Sequence, residues 1–117
     1  MNSETYEKQL ALIKQVQPRA LDILKNPREI KEVSREFLKT FDINSNGSIR
    51  MPEYKIFLKC IATVIGNENE PTHDYIMSEF NYADMNKDGN LDKLEFEREV
   101  KKRLYELAGL RVKIKKI

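Results

Sequence analysis

A twelve-residue pattern occurs twice in this chain, with its first residues 42 positions apart. Asp42, Asn44, Asn46, Gly47 and Glu53 in the first copy stand where Asp84, Asn86, Asp88, Gly89 and Glu95 stand in the second. Both copies satisfy D-x-[DN]-x-[DN]-G-x5-E. Each lies between apolar residues at helical spacing. Before the first copy, Ile30, Val33, Phe37, Leu38 and Phe41 recur at intervals of three and four, and Asn26-Pro27 supplies a cap followed by proline at the first helical position. After it, Tyr54, Phe57, Leu58, Ile61 and Ile65 continue until Gly66. The second copy repeats the arrangement, with a helix over about 72–83 carrying Tyr75, Ile76, Phe80 and Ala83, and another over about 94–108 carrying Phe96, Val100, Leu104 and Leu107. The polar segment 66–71 between the halves is a linker. The chain therefore folds as two helix–loop–helix units, hand 1 over 27–65 and hand 2 over 72–108, within one domain of 27–109.

Short carboxylate and amide side chains at alternate positions can converge on one point, with a glycine where the loop turns sharply and a long Glu reaching back from the following helix. Six to eight oxygens at about 2.3–2.6 Å is what Ca²⁺ requires. Loop 2 offers Asp84, Asn86, Asp88, the Asn90 carbonyl, Asp92 and Glu95. Loop 1 offers Asp42, Asn44, Asn46, the Ser48 carbonyl and Glu53, but places cationic Arg50 where loop 2 has Asp92. Four carboxylates against two predict that loop 2 binds Ca²⁺ at about 10⁻⁷–10⁻⁵ M and that loop 1 binds more weakly or stays empty, giving one or two ions in all.

On these residues the chain resembles the EF-hand family, over 27–108. The resemblance implies an all-α fold of paired EF hands with a short antiparallel bridge between Ile49 and Leu91. It also implies a calmodulin-like opening, in which Ca²⁺ moves the helices carrying Glu53 and Glu95 and bares Phe37, Leu38, Phe57, Ile61, Phe80 and Phe96 to a partner. Glu99 falls where hand 1 has Phe57, so the apolar face of the last helix is expected to be thinner there.

Outside the two hands, residues 1–26 form an arm. Ser3 is a candidate cap; Tyr6, Leu10 and Ile13, then Ala20, Leu21 and Leu24, predict two short helices or one kinked at Pro18, packed on the chain's own core or offered to a partner. The formal charge of +2 conceals a division: residues 98–117 hold eight basic side chains against two acids, leaving +6, while the first 97 residues carry −4. The balance argues against a nucleic-acid binder. The basic stretch reads either as a solvated helix face with a tail at 110–117, or as a docking element whose Lys113, Lys115 and Lys116 meet an acidic protein or an anionic lipid surface.

Lone Cys60 forms no disulfide within the chain, and the apolar run Cys60–Ile65 is too short to span a bilayer. The first ten residues read as neither a signal peptide nor an acylation site, which points to the cytoplasm. His73 has no companion at ligand spacing, and no phosphate loop or nucleophile elbow is present, so the chain is read as a binder and not an enzyme. The leading expectation is a Ca²⁺-responsive regulatory or adaptor subunit for a protein partner. The alternatives are a constitutive structural subunit of a larger assembly, cytoskeletal for example, or a Ca²⁺ buffer.

Overall fold

The computed structural model describes residues 3–66 and 70–109. Helix α1 (Ser3–Val16) runs through a 3₁₀ turn (Gln17–Arg19) into the short α2 (Ala20–Leu24). Pro18 lies inside that turn, where its missing N–H interrupts the α-helical ladder. Helix α3 (Pro27–Phe41) starts where its cap predicts: the Asn26 side chain accepts from the Arg28 amide at 3.1 Å. The second half of loop 1 holds β1 (Ile49–Arg50) and leads into α4 (Met51–Val64); then comes α5 (His73–Ala83), capped by the Thr72 hydroxyl accepting from the Tyr75 amide, and the second half of loop 2 holds β2 (Asn90–Leu91) and leads into α6 (Lys93–Leu107). The two strands pair antiparallel, Ile49 opposite Leu91 and Arg50 opposite Asn90, which is the bridge the EF-hand resemblance implies.

One buried cluster joins both hands and the arm. Its centre is aromatic: Phe57 packs edge-on against Phe37, Phe41 and Phe96 at centroid separations of 5.8, 5.2 and 5.2 Å, and Tyr54 bridges to Phe80 at 5.4 Å. The arm closes over this core, with α1 packing on α3 and α4 and α2 on α3 and α6.

Several placements differ from the sequence reading. The buried stripe of the arm is Gln9, Ile13, Val16, Ala20 and Ile23, while Leu21 is 48% exposed. The arm meets the core along a line set by Ile13 and Val16, which turns Leu21 outward beyond the 3₁₀ turn. Tyr75 is 42% exposed, its hydroxyl turned towards the Arg103 guanidinium at 3.4 Å. Arg103, counted with the solvated basic stretch, is only 1% exposed because three carboxylates surround it. Glu99 is buried as well, so hand 2 fills that side of its core with a hydrogen-bonded ionic group where hand 1 uses Phe57. The expected extended tail, with Lys113, Lys115 and Lys116, lies outside the described residues, as do linker residues 67–69.

Candidate metal centre

Both loops are held open by the same hydrogen-bond scaffold. In loop 2, Asp84 accepts from the Asp88 and Gly89 amides at 3.3 and 2.9 Å, Asp88 accepts from the Asn90 amide at 3.0 Å, and Glu95 accepts from the Asn86 and Asp92 amides at 3.2 and 3.0 Å. Loop 1 repeats each of these: Asp42 from Asn46 and Gly47 at 3.2 and 2.6 Å, Asn46 from Ser48 at 3.2 Å, Glu53 from Asn44 and Arg50 at 3.4 and 2.9 Å. The turn at the sixth position is left-handed in both, with φ of 82° at Gly47 and 84° at Gly89, a region that costs any residue bearing a Cβ. Ser45 and Lys87, at the fourth positions, also have positive φ, 54° and 57°. The amides thus point inward and fix the carboxylates.

Within loop 2, carboxylate oxygens of Asp84, Asp88 and Glu95 lie within 4.8 Å of one another, with Asp84 and Glu95 buried and Asp88 exposed. Three like charges so close, with one side open to solvent, are what a hard divalent cation neutralises. Asp92 stands apart from this group: its Oδ1 accepts from the Glu95 amide at 2.9 Å, capping α6 and completing a reciprocal box with Glu95. Its contribution is to hold the glutamate that closes the loop.

The EF hand family model matches residues 76–101, which run from inside α5 through loop 2 into α6. This match supports placing the chain in the EF-hand superfamily. No curated protein and no solved structure matches it. An EF hand is a calcium-binding unit, and the donor set of loop 2 fits Ca²⁺, with Asp84, Asp88 and Glu95 as carboxylate ligands.

Hand 1 completes the pair through its backbone and the β1–β2 bridge. Its carboxylates are Asp42 and Glu53, both buried, with Asn44 and Asn46 exposed, Ser48 partly buried and the Arg50 side chain exposed at the ninth position. The six apolar residues expected to meet a partner are placed together in the core: Phe37, Phe57, Ile61, Phe80 and Phe96 are buried and Leu38 is half-buried. His73 is exposed, and Cys60 is buried, which pushes its thiol up to about 12 and away from thiolate chemistry.

The feature that periodicity does not reveal is the group around Arg103. Its guanidinium meets Glu99 on α6 at 3.1 Å, Glu106 at 3.0 Å and Glu79 on α5, while the Tyr54 hydroxyl of α4 donates to Glu99 at 2.8 Å. Lys102 adds a second cation to Glu79 at 2.8 Å. Burial works against the charged guanidinium, yet the charges of Glu99 and Glu106 outweigh it and raise its affinity for the proton. Burial, and then the charge of Glu99, push the Tyr54 hydroxyl far up, so it stays a donor. The signal for this group lies in the 42-residue offset: Phe37, Phe57 and Ile61 of hand 1 correspond to Glu79, Glu99 and Arg103 of hand 2.

Proposed function

We propose that this EF-hand protein is a Ca²⁺-responsive regulatory or adaptor subunit that binds a protein partner in the cytoplasm. The observation that carries this reading is the convergence of Asp84, Asp88 and Glu95, because Glu95 belongs to the first turn of α6 and a ligand on a helix turns metal occupancy into helix position. A cavity of about 300 Å³ has one apolar wall, formed by Leu58, Ile61 and Ala62 of α4 and by Ile65 just beyond it, which is 40% exposed, and a charged wall that includes Arg103 and Glu106. The arm covers parts of α3, α4 and α6. The buried Gln9 of α1 donates a long bond of 3.4 Å to the Thr40 carbonyl, and its Oε1 has no partner among the described residues. An orphaned buried acceptor costs roughly 1–3 kcal/mol, which lowers the work of lifting the arm. The basic tail would add attraction to an acidic partner or an anionic surface.

Adding Ca²⁺ to the chelator-treated protein tests this through binding of a hydrophobic dye and through proteolysis between α2 and α3. Ca²⁺-dependent dye binding and cutting near Asn26 are expected; a dye signal and cleavage pattern identical with Ca²⁺ and with chelator would reject responsiveness. One observation favours the constitutive structural subunit as a second reading: Phe37, Phe57, Ile61, Phe80 and Phe96 are buried in the same structure in which the loop 2 carboxylates already converge. In that case metal stabilises the fold and a partner is retained in chelator.

A further inference from the structure

The Arg103 group touches both helices that carry the loop-closing glutamates. Tyr54 is the residue after Glu53, and Glu99 is four residues, about one turn, after Glu95. The hydrogen bond from the Tyr54 hydroxyl to Glu99 Oε1, at 2.8 Å, therefore joins the helix that carries the last ligand of loop 1 to the helix that carries the last ligand of loop 2. Arg103 locks this joint from behind, with its Nε on the same Glu99 oxygen at 3.1 Å and Nη2 on the Tyr54 hydroxyl at 3.3 Å, and ties it to α5 through Glu79.

An apolar core would have served packing at least as well. Hand 1 fills the matching positions with Phe37, Phe57 and Ile61, and buried ionic groups are often no more stabilising than well-packed hydrophobic replacements. What the ionic version adds is direction: hydrogen bonds at fixed angles hold α4, α5 and α6 in one register, where methyl and ring contacts allow sliding. We infer that Tyr54, Glu99 and Arg103 are positioning residues that couple the two loops, so that the placement of Glu53 influences Ca²⁺ affinity at loop 2, and the reverse, through the α4–α6 joint in addition to the β1–β2 bridge.

This inference rests on the calcium-binding reading of the loops, and its test separates the two. CaCl₂ is titrated calorimetrically into the full chain, its Glu53→Gln variant, its Tyr54→Phe variant and the double variant. Tyr54→Phe deletes one hydroxyl and gives hand 1 the residue that hand 2 carries at the matching position, Phe96. In the parent chain Glu53→Gln should weaken Ca²⁺ binding at loop 2 by about fivefold or more; in the Tyr54→Phe background the same change should shift it less than about twofold. Grafting the apolar trio of hand 1 as Glu79→Phe, Glu99→Phe and Arg103→Ile should give a folded protein by circular dichroism in which Glu53→Gln likewise shifts loop 2 by less than about twofold, the β1–β2 bridge being left in place. An effect of Glu53→Gln that is absent from the parent chain, or that survives intact in Tyr54→Phe or in the folded graft, overturns the coupling. No heat of Ca²⁺ binding in any chain overturns the calcium reading itself, a failure distinct from the first. The Tyr54→Phe pair carries the test should the graft fail to fold.

Discussion

The two hands share a backbone and differ in charge. Asp42 and Asp84 accept from equivalent amides, Glu53 and Glu95 likewise, and the left-handed turns at Gly47 and Gly89 agree within 2° of φ. Yet loop 1 has two carboxylates and an arginine where loop 2 has four carboxylates. The shape of an EF-hand loop is thus set by its amides and its glycine, whereas its grip on a cation is set by side chains that can change without disturbing that shape. A chain can keep one hand chiefly as a folding partner for the other. Behind the loops the difference runs the same way: hand 1 has the apolar trio and hand 2 the ionic one.

The comparison is broken most severely by removing the carboxylate that closes the more acidic loop. Glu95→Gln keeps the size of the side chain and discards its charge, and should weaken Ca²⁺ binding at loop 2 by about 100-fold, near 2.7 kcal/mol, in a competitive chelator titration. The same change at Glu53 should cost the total Ca²⁺ affinity far less. If both substitutions act equally, the loops are equivalent and the charge argument fails.

Next in size is the repair of loop 1. Arg50 has an exposed side chain and only its amide serves Glu53, so Arg50→Asp replaces a cation by an anion without touching the scaffold. A gain of about tenfold at loop 1, near 1.4 kcal/mol, is expected from calorimetry. Asp92→Arg should do the opposite at loop 2, and should also remove the cap on the Glu95 amide.

The shared backbone can be challenged directly. A Cβ at Gly47 or Gly89 would meet nothing within 4 Å, so the cost of Gly→Ala comes from the positive φ alone. Each substitution should lower the stability of the metal-free protein by about 1 kcal/mol, and by the same amount in either hand, as measured by urea unfolding. Unequal losses would mean that the loops are not the matched frames their hydrogen bonds describe.

Features carried by nearby residues were legible in the sequence. Asn26-Pro27 starts α3 and the ligand spacing defines both loops, while the bridge at Ile49 and Leu91 follows from the EF-hand resemblance. The ionic group was not legible, because its bonds between helices span 23 to 49 residues and a helical pattern carries no signal for pairings at that separation. Glu99 reads as a defect in an apolar stripe and Arg103 as part of a basic run until Tyr54 and Glu79 are seen beside them. Gln9 escapes for a similar reason: it lies on the buried line of α1, yet a polar side chain adds nothing to the apolar pattern. Comparing the two hands at an offset of 42 recovers part of this, since Glu79, Glu99 and Arg103 all fall on apolar positions of hand 1.

The smallest effect sharpens that contrast through pH. Burial alone would raise the Glu79 carboxyl, but its hydrogen bond from Lys102 and the charge of Arg103 outweigh this and hold it below its ordinary 4.5. A carboxyl lowered in the folded state takes up a proton more readily when the chain unfolds. The stability it contributes is therefore complete above the unfolded value of about 4.5 and is lost as pH falls through the folded value. The contribution should be about 1 kcal/mol or less, because Glu79 retains some contact with water and Lys102 is partly exposed. Phe37 fills the matching place in hand 1 and cannot titrate. In the metal-free protein, acidification should therefore release amide-exchange protection in α5 and α6 before α3 and α4, and Glu79→Gln should narrow that gap. Uniform loss of protection across all four helices would show that the Glu79 pairs add nothing to the hold of hand 2.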